Sequence, residues 1–210
     1  MSITLILIIL TSGISIYAWS HQDLLDKWVF HPFSVTKKNQ WYRFVTSGFL
    51  HADWTHLFFN MLSLYFFGEV VERVFMSYFG YELGIGMYLL IYLGGMIIAD
   101  IPTYIKHKKD YDYRALGASG AVSAIIFSSI LFNPLNLICL FAFICMPGFI
   151  FGLIYLIYSY YEAQRMGGAI NHSAHFYGAV FGFVVSFLLI EGSGLNFIEQ
   201  IGQWRLPFFN

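Results

Sequence analysis

Six long apolar segments constrain the fold of this chain more than any other feature of its sequence. A helix that crosses about 30 Å of hydrocarbon needs about 20 apolar residues, and the six segments are close to that length. Charged residues make up only 11% of the 210 positions, whereas a soluble domain carries about 25%, so much of the surface must face lipid. We predict an all-α membrane protein with one domain over residues 1–210 and six transmembrane helices. The predicted spans are 3–19, 53–71, 83–102, 116–132, 136–160 and 172–190.

The connections between these segments differ in length and character. Residues 20–50 are polar and aromatic, so we expect short helices at the membrane interface there. The connector 162–171 contains Gly167 and Gly168, and Pro147 is expected to kink the fifth span. These two features make the fifth span and its connector candidates for a gate.

The rest of the composition excludes few classes of function. The net charge is −1, and no basic stripe with interleaved aromatic residues indicates a nucleic-acid partner.

Cys139 and Cys145 lie six residues apart in the predicted fifth span. On a helix they would point about 120° apart, so we expect no disulfide between them. Residues 1–16 lack the basic start and the cleavage site of a signal peptide, and we interpret them as part of a retained span.

Polar residues open the second, fourth and sixth spans, and in a membrane each of them costs energy unless it is paired or functional. His51, His56 and Asn60 open the second span, Ser119 opens the fourth and His175 opens the sixth. Even-numbered spans run in the same direction, so their first residues lie on the same side of the membrane. The count of spans therefore brings a hydroxyl, imidazoles and an amide to one depth.

These groups have the chemistry of nucleophilic catalysis. A serine hydroxyl is a weak nucleophile until a base removes its proton, and His175 suits that role because histidine changes charge near neutral pH. The oxyanion that forms needs preorganised donors. The backbone N–H of Ser119, at a helix N-terminus, and the side chains of His56 and Asn60 could supply them.

Small residues would bring the fourth and sixth spans together. Gly120 and Ala124 lie four residues apart in the fourth span, and Gly178 and Gly182 do so in the sixth. Such pairs let two helix backbones approach closely in a membrane. The two helices are therefore predicted to pack against each other, with the serine and the histidine within hydrogen-bond reach.

In this order, the motifs resemble the rhomboid family of intramembrane serine proteases. The resemblance runs from Trp41 to about Gly182, and the ordered set is far more specific than a lone Gly-x-Ser-Gly. The matching parts are Tyr42-Arg43 with Thr46, His51-xxxx-His56-xxx-Asn60, Glu72-Arg73, Gly117-Ala118-Ser119-Gly120 and Ala174-His175-xx-Gly178-xxx-Gly182.

The resemblance implies a six-span rhomboid bundle around a water-accessible active-site cavity. It implies Ser119 as nucleophile, His175 as base, and His56 and Asn60 with the Ser119 N–H as oxyanion donors. Supporting roles fall to His51, Gly117 and Gly120. It also implies no cofactor and no metal, single-pass transmembrane proteins as substrates, and a place in the bacterial cytoplasmic membrane. The sequence carries no signal for an oligomeric state.

Two departures from the family pattern stand out. Many relatives carry a tyrosine four residues after the nucleophile that packs on the catalytic histidine, and here that residue is Ser123. Phe127 or Tyr177 would then have to orient His175. In the first loop, Tyr42 stands before Arg43 where the family has a Trp-Arg pair.

The charges also oppose the usual bacterial orientation, in which the N-terminus is cytoplasmic and the active site lies near the outer surface. That orientation places nine of the eleven Lys and Arg residues outside, against the positive-inside tendency. The nine are Lys27, Lys37, Lys38, Arg43, Lys106, Lys108, Lys109, Arg114 and Arg165.

Other functions remain open at this level. A non-catalytic rhomboid-like protein that binds membrane helices would keep the fold, although such relatives usually lack the serine or the histidine. A small-solute transporter would be expected to show internal repeats and broken helices. Four histidines near one depth could hold a metal, but His51 and His56 are poorly spaced for one helix face and no thiolate or carboxylate accompanies them.

Overall fold

The computed structural model describes residues 2–140, 143–165 and 171–205. Most of them are helical, and one two-stranded hairpin follows the seventh helix. The α-helices are α1 Ile3–Trp19, α2 Gln22–Trp28, α3 Pro32–Lys38, α4 Arg43–Thr46, α5 Trp54–Phe79, α6 Tyr81–His107, α7 Ser119–Phe132, α8 Gly148–Gln164, α9 His172–Leu189 and α10 Ser193–Gln203. A 3-10 turn covers Ser47–Phe49, and the strands are β1 Leu137–Leu140 and β2 Ile144–Pro147.

Helix α7 lies at the centre of the bundle, between α5, α6 and α9. Twelve of its 14 residues are buried, which fits a sequence that is apolar on every face. At 1.5 Å per residue the helix is about 21 Å long, so it is shorter than the hydrocarbon core of a bilayer. Other helices therefore have to shield its ends.

Two of the described helices, α6 and α9, are long and apolar enough to cross a membrane by length and mean hydropathy. Helices α1 and α7 are apolar but shorter. Many apolar side chains of the outer helices are exposed, among them Ile9 in α1, Leu153 in α8 and Leu188 in α9. Exposed apolar surface on this scale is a feature of lipid-facing helices.

Hydrogen bonds at both ends of α1 fix its direction against α5. Near its start, the side chains of Ser2 and Thr4 donate to the carboxylate of Glu72, at 2.6 and 2.7 Å. Near its other end, Ser15 Oγ lies 2.9 Å from His51 Nδ1. We call the end of the bundle that holds the first residues of α5, α7 and α9 the site end, and the opposite end the far end.

Two capping residues define where α5 and α9 begin at the site end. Asp53 accepts a hydrogen bond from the backbone N–H of His56 at 2.8 Å, and Asn171 accepts one from that of Ala174 at 3.1 Å. Such caps satisfy backbone donors that the first turn of a helix leaves free. Asn171 also bonds Thr103 of α6, which ties the start of α9 to the end of α6.

The predicted fifth span, 136–160, is wrong in its first part. Residues 137–147 form the β1–β2 hairpin, and the helix begins only at Gly148. The expectation of no disulfide is wrong for the same reason: antiparallel pairing sets Cys139 directly opposite Cys145, and the two are bonded. Pro147 caps the start of α8 instead of kinking it. Residues 166–170 of the predicted gate lie outside the described residues.

Candidate active site

Ser119 is the first residue of α7, and a turn at Gly117 comes just before it. Gly117 has a φ of +123°, a conformation that side chains with a Cβ rarely adopt. A Cβ at this position would also lie 2.7 Å from Cε1 of His56. The backbone N–H of Gly117 donates to the carbonyl of Ser47 at 3.0 Å. The turn is thus fixed by its backbone and packed directly against His56.

His51 lies between α1 and this turn and bonds to both. Ser15 Oγ donates its single proton to the carbonyl of Phe49 at 2.8 Å, so His51 Nδ1–H must be the donor in its 2.9 Å bond with Ser15. His51 Nε2 then accepts from the N–H of Ala118 at 3.4 Å. Burial lowers the pKa of His51 to about 3, so the ring stays neutral. It connects α1 to the residue preceding Ser119.

The side chain of His56 lies against the same turn, and one of its ring nitrogens makes no hydrogen bond to a described residue. Its Nδ1 is 3.5 Å from the backbone N–H of Ala52 and accepts from it, which leaves the proton on Nε2. That nitrogen faces Gly117, since a Cβ at this glycine would lie 2.8 Å from it. Asn60 donates one amide hydrogen to the carbonyl of His56 at 2.9 Å, and its second amide hydrogen makes no hydrogen bond to a described residue.

Glycines allow α7 and α9 to touch along their length. A Cβ on Gly178 would overlap the carbonyl of Gly120, and a Cβ on Gly182 would overlap the backbone of Ala124. A Cβ on Gly120 would itself meet Ala99 of α6. The first turns of α7 and α9, which carry Ser119 and His175, therefore lie side by side.

The side chain of Ser119 makes no hydrogen bond to His175 within the described part of the chain. Catalytic hydrogen bonds are often long in enzymes without substrate. A cavity of about 20 Å³ lies beside Ser119 and is lined in part by Ser47, Asp100 and Asn171. That volume is enough for about one water molecule.

The imidazole of His175 is held by aromatic neighbours. The ring of Tyr155 in α8 is nearly parallel to it, with centroids 6.2 Å apart and an angle of 15°. His172 meets it edge-on at 5.7 Å. The hydroxyl of Tyr155 forms a 2.7 Å hydrogen bond with Ser123 Oγ. The residue beside His175 is thus Tyr155 and not Tyr177, whose side chain is exposed.

Sequence reasoning missed Tyr155 and Asp100. Asp100 had a visible signal, because it is a carboxylate inside the apolar third span and such groups are rare in membranes. Tyr155 had no comparable signal, since it is one of several tyrosines in its segment. Phe127, the other candidate, packs on Tyr155 with ring centroids 5.6 Å apart.

The first loop, residues 20–50, is held together by Arg43 and packs beside the site through Phe30. The Nη1 atom of Arg43 donates to the carbonyls of Asp26 and Val29, at 2.9 and 2.6 Å, and burial lowers the pKa of its guanidinium. Phe30 pairs with Ala115 through two backbone hydrogen bonds of 2.9 and 3.0 Å. The loop 20–50 therefore packs against the strand-like residues that lead into the Gly117 turn.

These features define a helical membrane protein with a glycine-flanked serine at the start of its central helix and histidines from two neighbouring helices around it. The family model described as Rhomboid domain matches residues 38–192. The chain belongs to the rhomboid family.

Relatives with curated names agree with this family. The chain is 32% identical over 163 residues to "Putative rhomboid protease YdcA" of Bacillus subtilis (strain 168), an alignment that covers 72% of this chain and 69% of the relative. It is 29% identical over 197 residues to "Rhomboid-like protein 11, chloroplastic" of Arabidopsis thaliana, covering 86% of this chain and 64% of the relative. "Rhomboid protease GluP" of B. subtilis is 35% identical over 89 residues, 42% of this chain and 15% of the relative.

Proposed function

We propose that this chain is an intramembrane serine endopeptidase that cleaves transmembrane proteins near the membrane surface. The observation that carries the proposal is the meeting of three groups at one turn. The hydroxyl-bearing Ser119 opens α7, the ring of His56 packs on the preceding glycine, and the glycine-mediated contact of α7 with α9 brings His175 alongside. Two relatives named as rhomboid proteases support it.

The proposed membrane arrangement has six spans: α1, α5, α6, α7, α8 and α9. The exposed apolar side chains of the outer helices support it, because only lipid would cover them at no cost. The burial of α7 supports it as well. A helix of about 21 Å is shorter than the hydrocarbon core of a bilayer, so other helices and a water-accessible cavity have to surround its ends. The hairpin and α10 would then lie at the surface of the far end.

In the proposed reaction, Ser119 Oγ attacks the carbonyl carbon of the scissile peptide while His175 accepts the hydroxyl proton. The resulting oxyanion receives hydrogen bonds from the Ser119 N–H, from His56 Nε2–H and from the second amide hydrogen of Asn60. When the C–N bond breaks, His175 gives the proton to the leaving amine and an acyl-enzyme remains on Ser119. Water then attacks the ester, with His175 as base, and the serine is regenerated.

Fluorophosphonate labelling tests this proposal against a non-catalytic, helix-binding rhomboid-like protein. We expect the probe to modify Ser119, because only an activated serine attacks phosphorus, and we expect His175→Ala to abolish the labelling. Ser129→Ala is the matched control: this residue lies in the same helix, is buried and is expected to leave labelling unchanged. Mass spectrometry of the labelled peptide gives the position, and an unmodified Ser119 in folded protein would favour the helix-binding alternative.

Tyr155 is proposed as the residue that positions His175, since no carboxylate hydrogen bond orients that imidazole within the described residues. We expect Tyr155→Ala to lower kcat by up to about 100-fold with little change in KM, as expected when a catalytic group is misplaced by about 1 Å. Tyr155→Phe keeps the ring and should retain most of the activity.

Tyr161→Ala provides the control for that experiment, because this tyrosine lies in the same helix and is exposed. Thermal unfolding midpoints of all three variants separate positioning from folding. A Tyr155→Ala protein that keeps the kcat of the parent would contradict the assignment.

A further inference from the structure

Helix α10 has an apolar side that is wider than the surface it packs against. At about 100° per residue, its four large apolar side chains fall on one side of the helix and the polar ones on the other. The four are Leu195, Phe197, Ile198 and Ile201. Phe197 and Ile201 are partly buried, whereas Leu195 and Ile198 are 70% and 68% exposed. The protein thus covers only about half of the apolar side.

Two contacts hold α10 across the far end, beside the last turns of α7 and α9. Gln200 Nε2 donates to the carbonyl of Phe132, the last residue of α7, at 3.1 Å. The ring of Phe197 meets that of Phe183 in α9 edge-on, with centroids 5.4 Å apart. A rotation of α10 that buried its exposed apolar side chains would break both contacts.

A groove of about 480 Å³ lies between α9 and α10, and we call it the α9–α10 groove. Pockets that bind small molecules have volumes of about 300–1,000 Å³. The described residues that line this groove are glycines and six apolar residues: Leu131, Phe183, Phe187, Leu195, Phe197 and Ile198. A polar ligand would give up its hydrogen bonds to water there and gain none from these side chains. The lining therefore fits a hydrocarbon chain.

The groove is continuous with the surface that the proposed membrane arrangement turns toward lipid. Leu188, the residue after Phe187, is 72% exposed, and α9 ends one residue later. An amphipathic helix at the end of a span lies in the membrane interface, with its apolar side about 5–10 Å into the boundary between headgroups and chains. The hydrocarbon within reach of the groove is therefore an acyl chain of the adjacent leaflet.

We propose that the α9–α10 groove binds one acyl chain of a membrane phospholipid, with α10 lying in the interface of that leaflet. The charged residues of α10 and its flanks are Glu191, Glu199 and Arg205. They provide no excess of positive charge, which interfacial helices use to attract anionic headgroups. The groove thus recognises the chain and not the charge of the headgroup, so a zwitterionic phospholipid is sufficient.

Photocrosslinking in a bilayer tests the proposal. The full chain is placed in nanodiscs of phosphatidylcholine that contain a phosphatidylcholine with a diazirine in one acyl chain, and modified peptides are mapped by mass spectrometry. Peptides of α9 and α10 that line the groove should be modified several times more often than the α8 peptide with Leu153. Leu153 is 62% exposed and faces lipid outside the groove, so it reports the modification that any lipid-facing position receives.

Leu195→Gln/Ile198→Gln is the test variant, and Leu153→Gln is the matched control. Both positions of the double variant are exposed, so the substitutions should change the stability of the fold little. We expect the double variant to lower the crosslinks in the groove about tenfold, because contact with one leucine-sized side chain is worth roughly that factor. Leu153→Gln should leave them unchanged. Crosslinks in α8 that persist in the double variant, together with its thermal midpoint, show that it is folded and inserted.

Two results would overturn the proposal: equal modification of the groove and of α8 in the parent, or an excess in the groove that survives in the double variant. Discs that hold two copies, with crosslinks that avoid the groove, would show that a second copy covers it instead, and would overturn the proposal as well. The inference rests on the proposed membrane arrangement and not on catalysis. Ser119→Ala should therefore give the crosslinks of the parent, and a failure of fluorophosphonate labelling would leave them unaffected.

Discussion

If the proposed mechanism holds, replacing Ser119 by alanine is expected to lower the cleavage of a transmembrane substrate by a factor on the order of 10⁶, as in serine proteases that lose their nucleophile. The physical reason is that Ser119 is the proposed nucleophile, and the neighbouring hydroxyl of Ser47 is already bonded to the carbonyl of Arg43 at 2.7 Å. The side chain makes no hydrogen bond with a described residue, so its loss should not alter the fold. The assay uses purified protein in detergent with a generic rhomboid substrate.

Ser129→Ala serves as control in this assay too, since it removes a hydroxyl from the same helix and should leave cleavage unchanged. Equal thermal midpoints for the parent and both variants would show that folding is intact. If the Ser119→Ala protein cleaves the substrate as fast as the parent does, the proposed mechanism is wrong.

Among the described glycines, Gly182 is expected to be the one at which an added methyl group does most damage. The added Cβ would overlap the backbone of Ala124, and a backbone cannot rotate away as a flexible side chain can. Overpacking of this kind costs on the order of 3 kcal/mol, and relief requires α7 and α9 to move apart. Because these helices carry Ser119 and His175, we expect fluorophosphonate labelling to fall together with the thermal midpoint.

Gly86→Ala is the matched control. It makes the same change in α6, where a Cβ would meet no atom within 4 Å. Alanine is better than glycine in a helix interior by about 0.5–1 kcal/mol, so this variant should be as stable as the parent or slightly more so. A Gly182→Ala protein that unfolds at the temperature of the parent and labels normally would refute the close packing of the two helices.

The sequence predicts those parts of the molecule that depend on local pattern. The membrane class follows from the scarcity of charge, and family membership follows from motifs around His56, Ser119 and His175, which the rhomboid family model supports. The pair Asn133-Pro134, which is typical of a helix stop, likewise predicts that the helix beginning at Ser119 ends before Asn133, and α7 ends at Phe132. These features require no knowledge of which residues pair across the fold.

What the sequence does not predict depends on long-range pairing. The residues of β1 and β2 are apolar enough to pass for a helix, and only their cross-strand register sets Cys139 opposite Cys145. The same holds for Tyr155, which is 32 residues from Ser123 and reaches His175 only because α8 packs beside α9. The sequence shows that Ser123 stands where many relatives have a tyrosine. It does not show that Tyr155, in another helix, lies beside His175 instead.

The central position of α7 has a consequence for the biosynthesis of the protein. Twelve of its residues are buried, and its most extensive partner is α9, the last of the proposed spans to leave the ribosome. Until α9 arrives, the face of α7 that bears Gly120 and Ala124 lacks its cover, and Ser119 lacks its base. If the proposed function holds, a nascent chain cannot hydrolyse peptides before α9 has packed against α7.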